Sequence, residues 1–225
     1  MNKEEIELEN GLKYEDLVSY LIKKYGPITK PFFVNENCST KTSGLTRSKD
    51  GLFIHHVMED RAIMLSNPQF AITQPYEYQL GKNLVYCNLL EHLILHMKIT
   101  DDFIDVATDS VPKNKMSKER IKALEQTKDS HEFPGIGGVG NLIGPQINDY
   151  FFGGLKPTNW MSFAYDAISN NKDDYILLMK NFWEYELAKC RASGDEALLE
   201  FVKRSYASSK RASEYFPKLI VVKYW

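Results

Sequence analysis

Cysteine is scarce: a chain of 225 residues carries 3, at Cys38, Cys87 and Cys190. An odd, widely spaced set supplies neither a disulfide framework nor a CxxC zinc knuckle, and it fits a reducing compartment. No apolar run approaches the ~18 residues needed to span a membrane. The opening MNKEEIELENG is charged and has no apolar h-region, so it does not read as a signal peptide. These absences predict a cytoplasmic protein with no membrane partner. A charge excess is lacking too: 28 Lys and Arg stand against 30 Asp and Glu, for a formal net charge of -2. Bulk charge therefore announces no nucleic-acid partner, and any basic surface must be local. Internal repeats and low-complexity tracts are also missing. What is present is an ordinary globular composition, 43% hydrophobic and 26% charged, on a chain long enough for one good core.

Periodicity supplies a first outline. Tyr14 to Tyr25 reads as a helix with Leu17, Val18, Leu21 and Ile22 on one stripe, stopped by Gly26-Pro27, and carries no visible chemistry. Asn35 to Gly51 is polar and loop-like. Leu52 to Val57 and Asn83 to Cys87 are short strand candidates, joined by a connector punctuated by Pro68, Pro75 and Gly81. Asn88 is placed to cap a helix, with Glu91 as its capping-box partner, running to about Lys98. A polar stretch from Thr108 to Ser117 precedes a short helix over Ser117 to Thr127. Further helical patterns cover Ile147 to Phe152, Asn159 to Ser169, Asp173 to Arg191 and Gly194 to Lys210, and Leu219 to Trp225 is β-like. The fold class is α+β, mostly helical. The glycine-rich GIGGVG before the later helices follows a polar run rather than a strand, so it predicts a turn and not a dinucleotide loop. His131 in that run reads as solvated, and Trp160, Phe163, Phe182, Trp183 and Tyr185 read as core.

The chemistry gathers in Gly51 to Met97, which holds four of the 5 histidines. His92 and His96 are four apart, so on a helix they share one face and can share one metal ion. The protease motif HExxH needs Glu directly after the first His; here Leu93 follows and Glu91 precedes, which rejects that reading. A lone pair of this kind also fits satisfied core histidines. His55 and His56 are adjacent, and neighbouring strand side chains face opposite ways. A bent strand can divide their labour: one ligates while the other faces substrate. Three imidazoles from His55, His92 and His96 leave open metal positions, as catalytic sites do. His56 is then free as a base, and a carboxamide such as Asn83 can fix its tautomer.

The ordered set LFIHH, then NLVYC, then His-x-x-x-His resembles the HNH branch of the His-Me finger (ββα-metal) endonucleases, over about residues 45–98. The resemblance implies a ββα-metal motif embedded in a larger α-helical body. It implies His55, His92 and His96 as ligands of one divalent metal ion (Mg, Mn, Zn or Ni). It implies His56 as the general base that activates water, and Asn83 as the residue that orients it. The implied activity is metal-dependent hydrolysis of phosphodiester bonds, with DNA a more probable partner than RNA. Arg47 and Lys49, just before the histidine pair, are candidates for phosphate contact, and with Lys41 also fit a solvated loop. Segments 1–44, 45–100 and 101–225 then form an N-terminal helix and loop, the nuclease motif, and a helical region.

Two departures stand out. The segment between His56 and Asn83 is longer than in compact HNH modules, which leaves Glu59 or Asp60 as extra ligands, surface groups or partners of Arg61. Paired cysteine knuckles are missing. A rival of another class is a binding module without catalysis, its zinc closed by Cys87 beside His92 and His96; an RNA-cleaving toxin of the same fold is a third reading. Lys203, Arg204, Lys210 and Arg211 offer phosphate contacts, a homodimer surface or a plain solvated face.

Overall fold

The computed structural model of the chain describes residues 1–110, 116–129, 133–153 and 161–208. The β-like Leu219 to Trp225, together with Lys210, Arg211, His131 and Trp160, lies outside these described residues. Helix α1 (Lys3–Gly11) starts at Asn2, whose side chain accepts from the Glu5 N–H at 2.8 Å. Helix α2 (Tyr14–Tyr25) ends at Gly26, where φ is 87°. Strand β1 (Phe53–His56) pairs antiparallel with β2 (Leu84–Cys87), in the register His55 to Val85 and His56 to Leu84. The long connection between the strands is wound into short helical turns, including α3 (Pro68–Ala71).

Helix α4 (Leu89–Ala107) is the axis of the fold. Both halves of its capping box form: Asn88 Oδ1 accepts from the N–H groups of Leu90 and Glu91, and Glu91 Oε2 accepts from the Asn88 N–H. Its sequence is apolar around most of its circumference, and a helix of that kind must be covered on all sides. Helices α1, α2, α5 (Lys118–Asp129), α6 (Ile143–Phe151) and α8 (Lys172–Ser193) all pack against it, with α7 (Met161–Asp166) and α9 (Glu196–Ser208) completing the described helices. The main hydrophobic core runs from Ile6 through Leu93 and Ile104 to Val202, and a smaller one gathers Ile28, Phe32, Phe33, Cys38, Leu45, Ala71 and Leu84.

α4 outruns its expected end at Lys98 by about two and a half turns, to Ala107. Ile99, Phe103, Ile104 and Val106 continue the apolar pattern. Two acidic residues of this extension are buried and ion-paired: Asp102 Oδ2 lies 2.9 Å from Arg120, and Asp105 lies 2.7 Å from Lys189. Charge in the sequence therefore marks partner sites for α5 and α8 rather than a loop. The glycine-rich segment also differs from the expected turn. Only Gly135 takes a positive φ there, 81°; Gly138–Leu142 form a π-helical turn that leads into α6.

Candidate metal centre

β1 and α4 bring three of the histidines together. Alternation along β1 sends His55 toward α4 and His56 to the other face. The ring centroids of His55 and His92 lie 5.2 Å apart, those of His55 and His96 5.1 Å, and those of His92 and His96 5.0 Å. Glu59, on the turn after β1, joins them: its Oε2 lies 3.5 Å from His55 Nδ1 and 3.4 Å from His96 Nε2. One donor atom from each of the four residues lies within 4.8 Å of the other three.

Two properties fit this group to a cation. Two donors held at ~2.0–2.1 Å by one tetrahedral ion are about 3.3 Å apart, close to the separations seen at Glu59. His55 Nδ1 is also buried and without a hydrogen-bond partner, a state that costs free energy unless something satisfies the lone pair. Burial depresses the basicity of all three rings. His55 is held well below the ordinary imidazole range by burial and then by the nearby His96 and His92; His92 is likewise low, and His96 is pushed down to about 4. Neutral imidazole is the ligating form. Glu59 is pushed up to about 8 by burial, opposed by a hydrogen bond from the Leu65 backbone. A carboxyl group that resists carrying charge alone is stabilised as an anion by a bound cation.

The glycine-rich segment closes one side. A Cβ on Gly135 would lie 2.6 Å from the His96 carbonyl oxygen and from Thr100 Oγ1, and one on Gly138 would lie 2.5 Å from His96 Nδ1. Only residues without a side chain allow this backbone so near α4.

His56 is not at this centre. Its ring is 1% exposed, packs edge-on to Phe32 at 4.6 Å and places Nε2 3.1 Å from Gln79 Oε1. The expected bent strand with His56 facing substrate is thus corrected: β1 stays regular through His56, so the side chain turns into the small core formed by Phe32 and its neighbours. Burial pushes its pKa down to about 4. Asn83 does not orient it either. Asn83 Nδ2 donates to the Glu77 carbonyl at 2.8 Å and closes the turn that enters β2. Gln79 takes the expected role, its amide fixed by a 3.2 Å bond from Nε2 to the Leu65 carbonyl.

The remaining candidates divide. Cys87 is fully buried in the core and outside the donor group, where Glu59 supplies the fourth donor. Asp60 is buried, 2.6 Å from Arg120. Arg47 is anchored, donating to Asp50 and to the Tyr25 carbonyl, each at 2.8 Å, while Lys49 is exposed. Lys203 pairs with Glu200 at 2.6 Å and Arg204 is exposed. Glu5, Glu9 and Glu91 form a second acidic group, but Lys24 fills it at 2.5, 3.2 and 2.5 Å. Tyr14, read from sequence as scaffold, touches the centre: its hydroxyl lies 2.9 Å from His55 Nε2. Nothing in the periodicity of α2 distinguishes it from the other residues flanking the apolar stripe. Comparison with family models gives no match, and comparisons with curated proteins and with solved structures give none either.

Proposed function

We propose that this chain is a metal-dependent phosphodiesterase that cuts nucleic acid, with DNA as its first substrate. The observation that carries the reading is the convergence of His55, Glu59, His92 and His96, with a buried and unpartnered lone pair on His55, on two antiparallel strands followed by a helix. In this reading the three imidazoles and Glu59 hold one divalent ion, which when bound stabilises charge developing on a scissile phosphate and on its leaving oxygen. A six-coordinate ion keeps two positions for oxygen ligands beyond these four donors. Exposed Lys49 supplies a phosphate contact, while Arg47 shapes the loop that carries it. His56 accepts the proton of water. It is neutral at pH 7; Gln79 Oε1 accepts from its Nε2–H, so Nδ1 is the basic atom, a pKa near 4 makes it a weak base, and its use requires access from solvent.

Plasmid nicking with and without Mg²⁺, Mn²⁺ or Zn²⁺ tests the reading. Native chain is expected to nick only with metal, His92→Ala to lose both nicking and metal binding, and His56→Ala to lose nicking alone. Full nicking by His56→Ala removes the base assignment, and nicking by native chain in a chelator removes the metal reading.

A second reading is favoured by Glu59. Four protein donors, two buried (His55, His96) and two half-buried (Glu59, His92), describe a closed structural site that staples β1 and its following turn to α4. In that case metal stabilises the chain strongly and no metal supports nicking.

A further inference from the structure

Tyr14 approaches the centre from α2, and one proton count decides what it does there. A phenol has a single O–H. The Tyr14 hydroxyl lies 2.8 Å from the Val57 carbonyl oxygen, which can only accept, so the hydrogen is donated there. The same oxygen lies 2.9 Å from His55 Nε2. With its hydrogen committed, the hydroxyl can only accept from the ring, and Nε2 must carry the imidazole hydrogen. A neutral imidazole has one N–H. Nδ1 is therefore bare, and it is the atom 3.5 Å from Glu59, buried without a partner.

The phenol itself is held firmly. Tyr14 is 1% exposed, and the Arg120 guanidinium lies 4.1 Å from its ring centroid. Arg120 is in turn gripped by Asp60 at 2.6 Å and Asp102 at 2.9 Å. The hydroxyl thus links α2, the end of β1 and the donor group in one fixed geometry.

We propose that Tyr14 is a positioning residue of the metal centre: its hydroxyl locks His55 in the Nε2–H tautomer, so that Nδ1 is the ligating atom. The proposal rests on the metal reading above. A ligating histidine whose far nitrogen is left without its partner is free to rotate and to present a hydrogen to the ion.

Two measurements on the full chain test it. The first uses metal-free native protein and needs no variant at the tyrosine. Long-range ¹⁵N–¹H correlation of the histidine rings, with His55 identified by its loss in His55→Ala, is expected to show a protonated Nε2 and a bare Nδ1. The opposite pattern overturns the proposal. The second compares zinc affinity of native chain and Tyr14→Phe, which keeps the ring beneath Arg120; a thermal melt checks folding. Affinity is expected to fall ~10–100-fold, with the His55 ring now sampling both tautomers. Equal affinity, or an unchanged tautomer in the variant, overturns the proposal while leaving the metal reading intact. Failure of native chain to bind zinc, with His55 still Nε2–H, removes the metal reading and the positioning role with it.

Discussion

Gly138 lies so close beneath His96 that a Cβ there would sit 2.4 Å from the ring's Cγ. A real Cβ contact that short does not occur, and the ring is wedged in a buried site, so Gly138→Ala must push His96 off its position. The expected cost is about 1–3 kcal/mol of stability, typical of overpacking, with a loss of metal affinity. Gly137 is the control. Its Cβ would meet nothing within 4 Å, and alanine in a helical turn is neutral to mildly favourable. Urea melts and zinc titrations of the two variants separate a local clash from a general intolerance of the segment.

Metal is expected to stabilise the native chain by linkage, about 2.7 kcal/mol at a free concentration a hundredfold above Kd. His55→Ala and His96→Ala should abolish this increment, and Glu59→Gln should reduce it, since the carboxamide keeps a neutral oxygen donor. Differential scanning calorimetry with zinc and then with a chelator reads the effect. A full increment in Glu59→Gln would show that the carboxylate seen 3.4 Å from His96 Nε2 is not a donor.

Arg120 is 2% exposed and joins Asp60 to Asp102, tying α5 to α4 and to the turn that carries Glu59. Arg120→Met takes the shared cation from two buried carboxylates, with Asp60 keeping only the more distant Arg61 at 3.5 Å, a change that costs about 3–5 kcal/mol. Adding Asp60→Asn and Asp102→Asn should recover much of that loss, because the penalty comes from uncompensated charge and not from the missing side-chain volume. Denaturant unfolding of the single and triple variants tests the assignment.

These dependencies show what the sequence could and could not reveal. Helix α2, both strands to within a residue at their ends, and the capping box at Asn88 were legible because they follow from local rules: an apolar stripe with a Gly-Pro stop, short apolar runs, and an Asn three residues before Glu. The shared face of His92 and His96 was legible from their spacing, and the resemblance carried by the ordered HH, NLVYC and His-x-x-x-His set added His55 to them. The role of Tyr14 was not, because it depends on which residue a distant helix sets against His55 Nε2. The orientation of His56 was hidden for a related reason. Alternation alone sends it away from its neighbour, and only Gln79 and Phe32, brought in by the long connection and the preceding loop, make that position buried. Glycines read as a turn proved to be a contact surface, a difference that appears only when α4 is in place to touch them.

The last expectation concerns pH and lies away from the metal centre. Lys189 faces three carboxylates: Asp101, Asp105 at 2.7 Å and Glu186 at 3.0 Å. One ammonium cannot neutralise three carboxylates, two of them buried, and Glu186, 1% exposed, is pushed up to about 8, chiefly by burial and against the pull of Lys189. An unfolded glutamate titrates near 4.5. Between those values the folded chain keeps a proton that the unfolded chain releases, so this group's contribution to stability falls as pH rises from 4.5 to 8 and levels off above. Glu186→Gln removes that proton uptake. The variant should match the native chain near pH 5 and exceed its stability at pH 8–9 by roughly 2–4 kcal/mol. Glu9 and Glu59 are raised as well, so the informative quantity is the difference between the two stability curves, in which their contributions cancel. Urea unfolding at intervals from pH 5 to 9 measures it; a difference that does not grow with pH would mean that Glu186 is ionised throughout, shared by Lys189 on equal terms with Asp101 and Asp105.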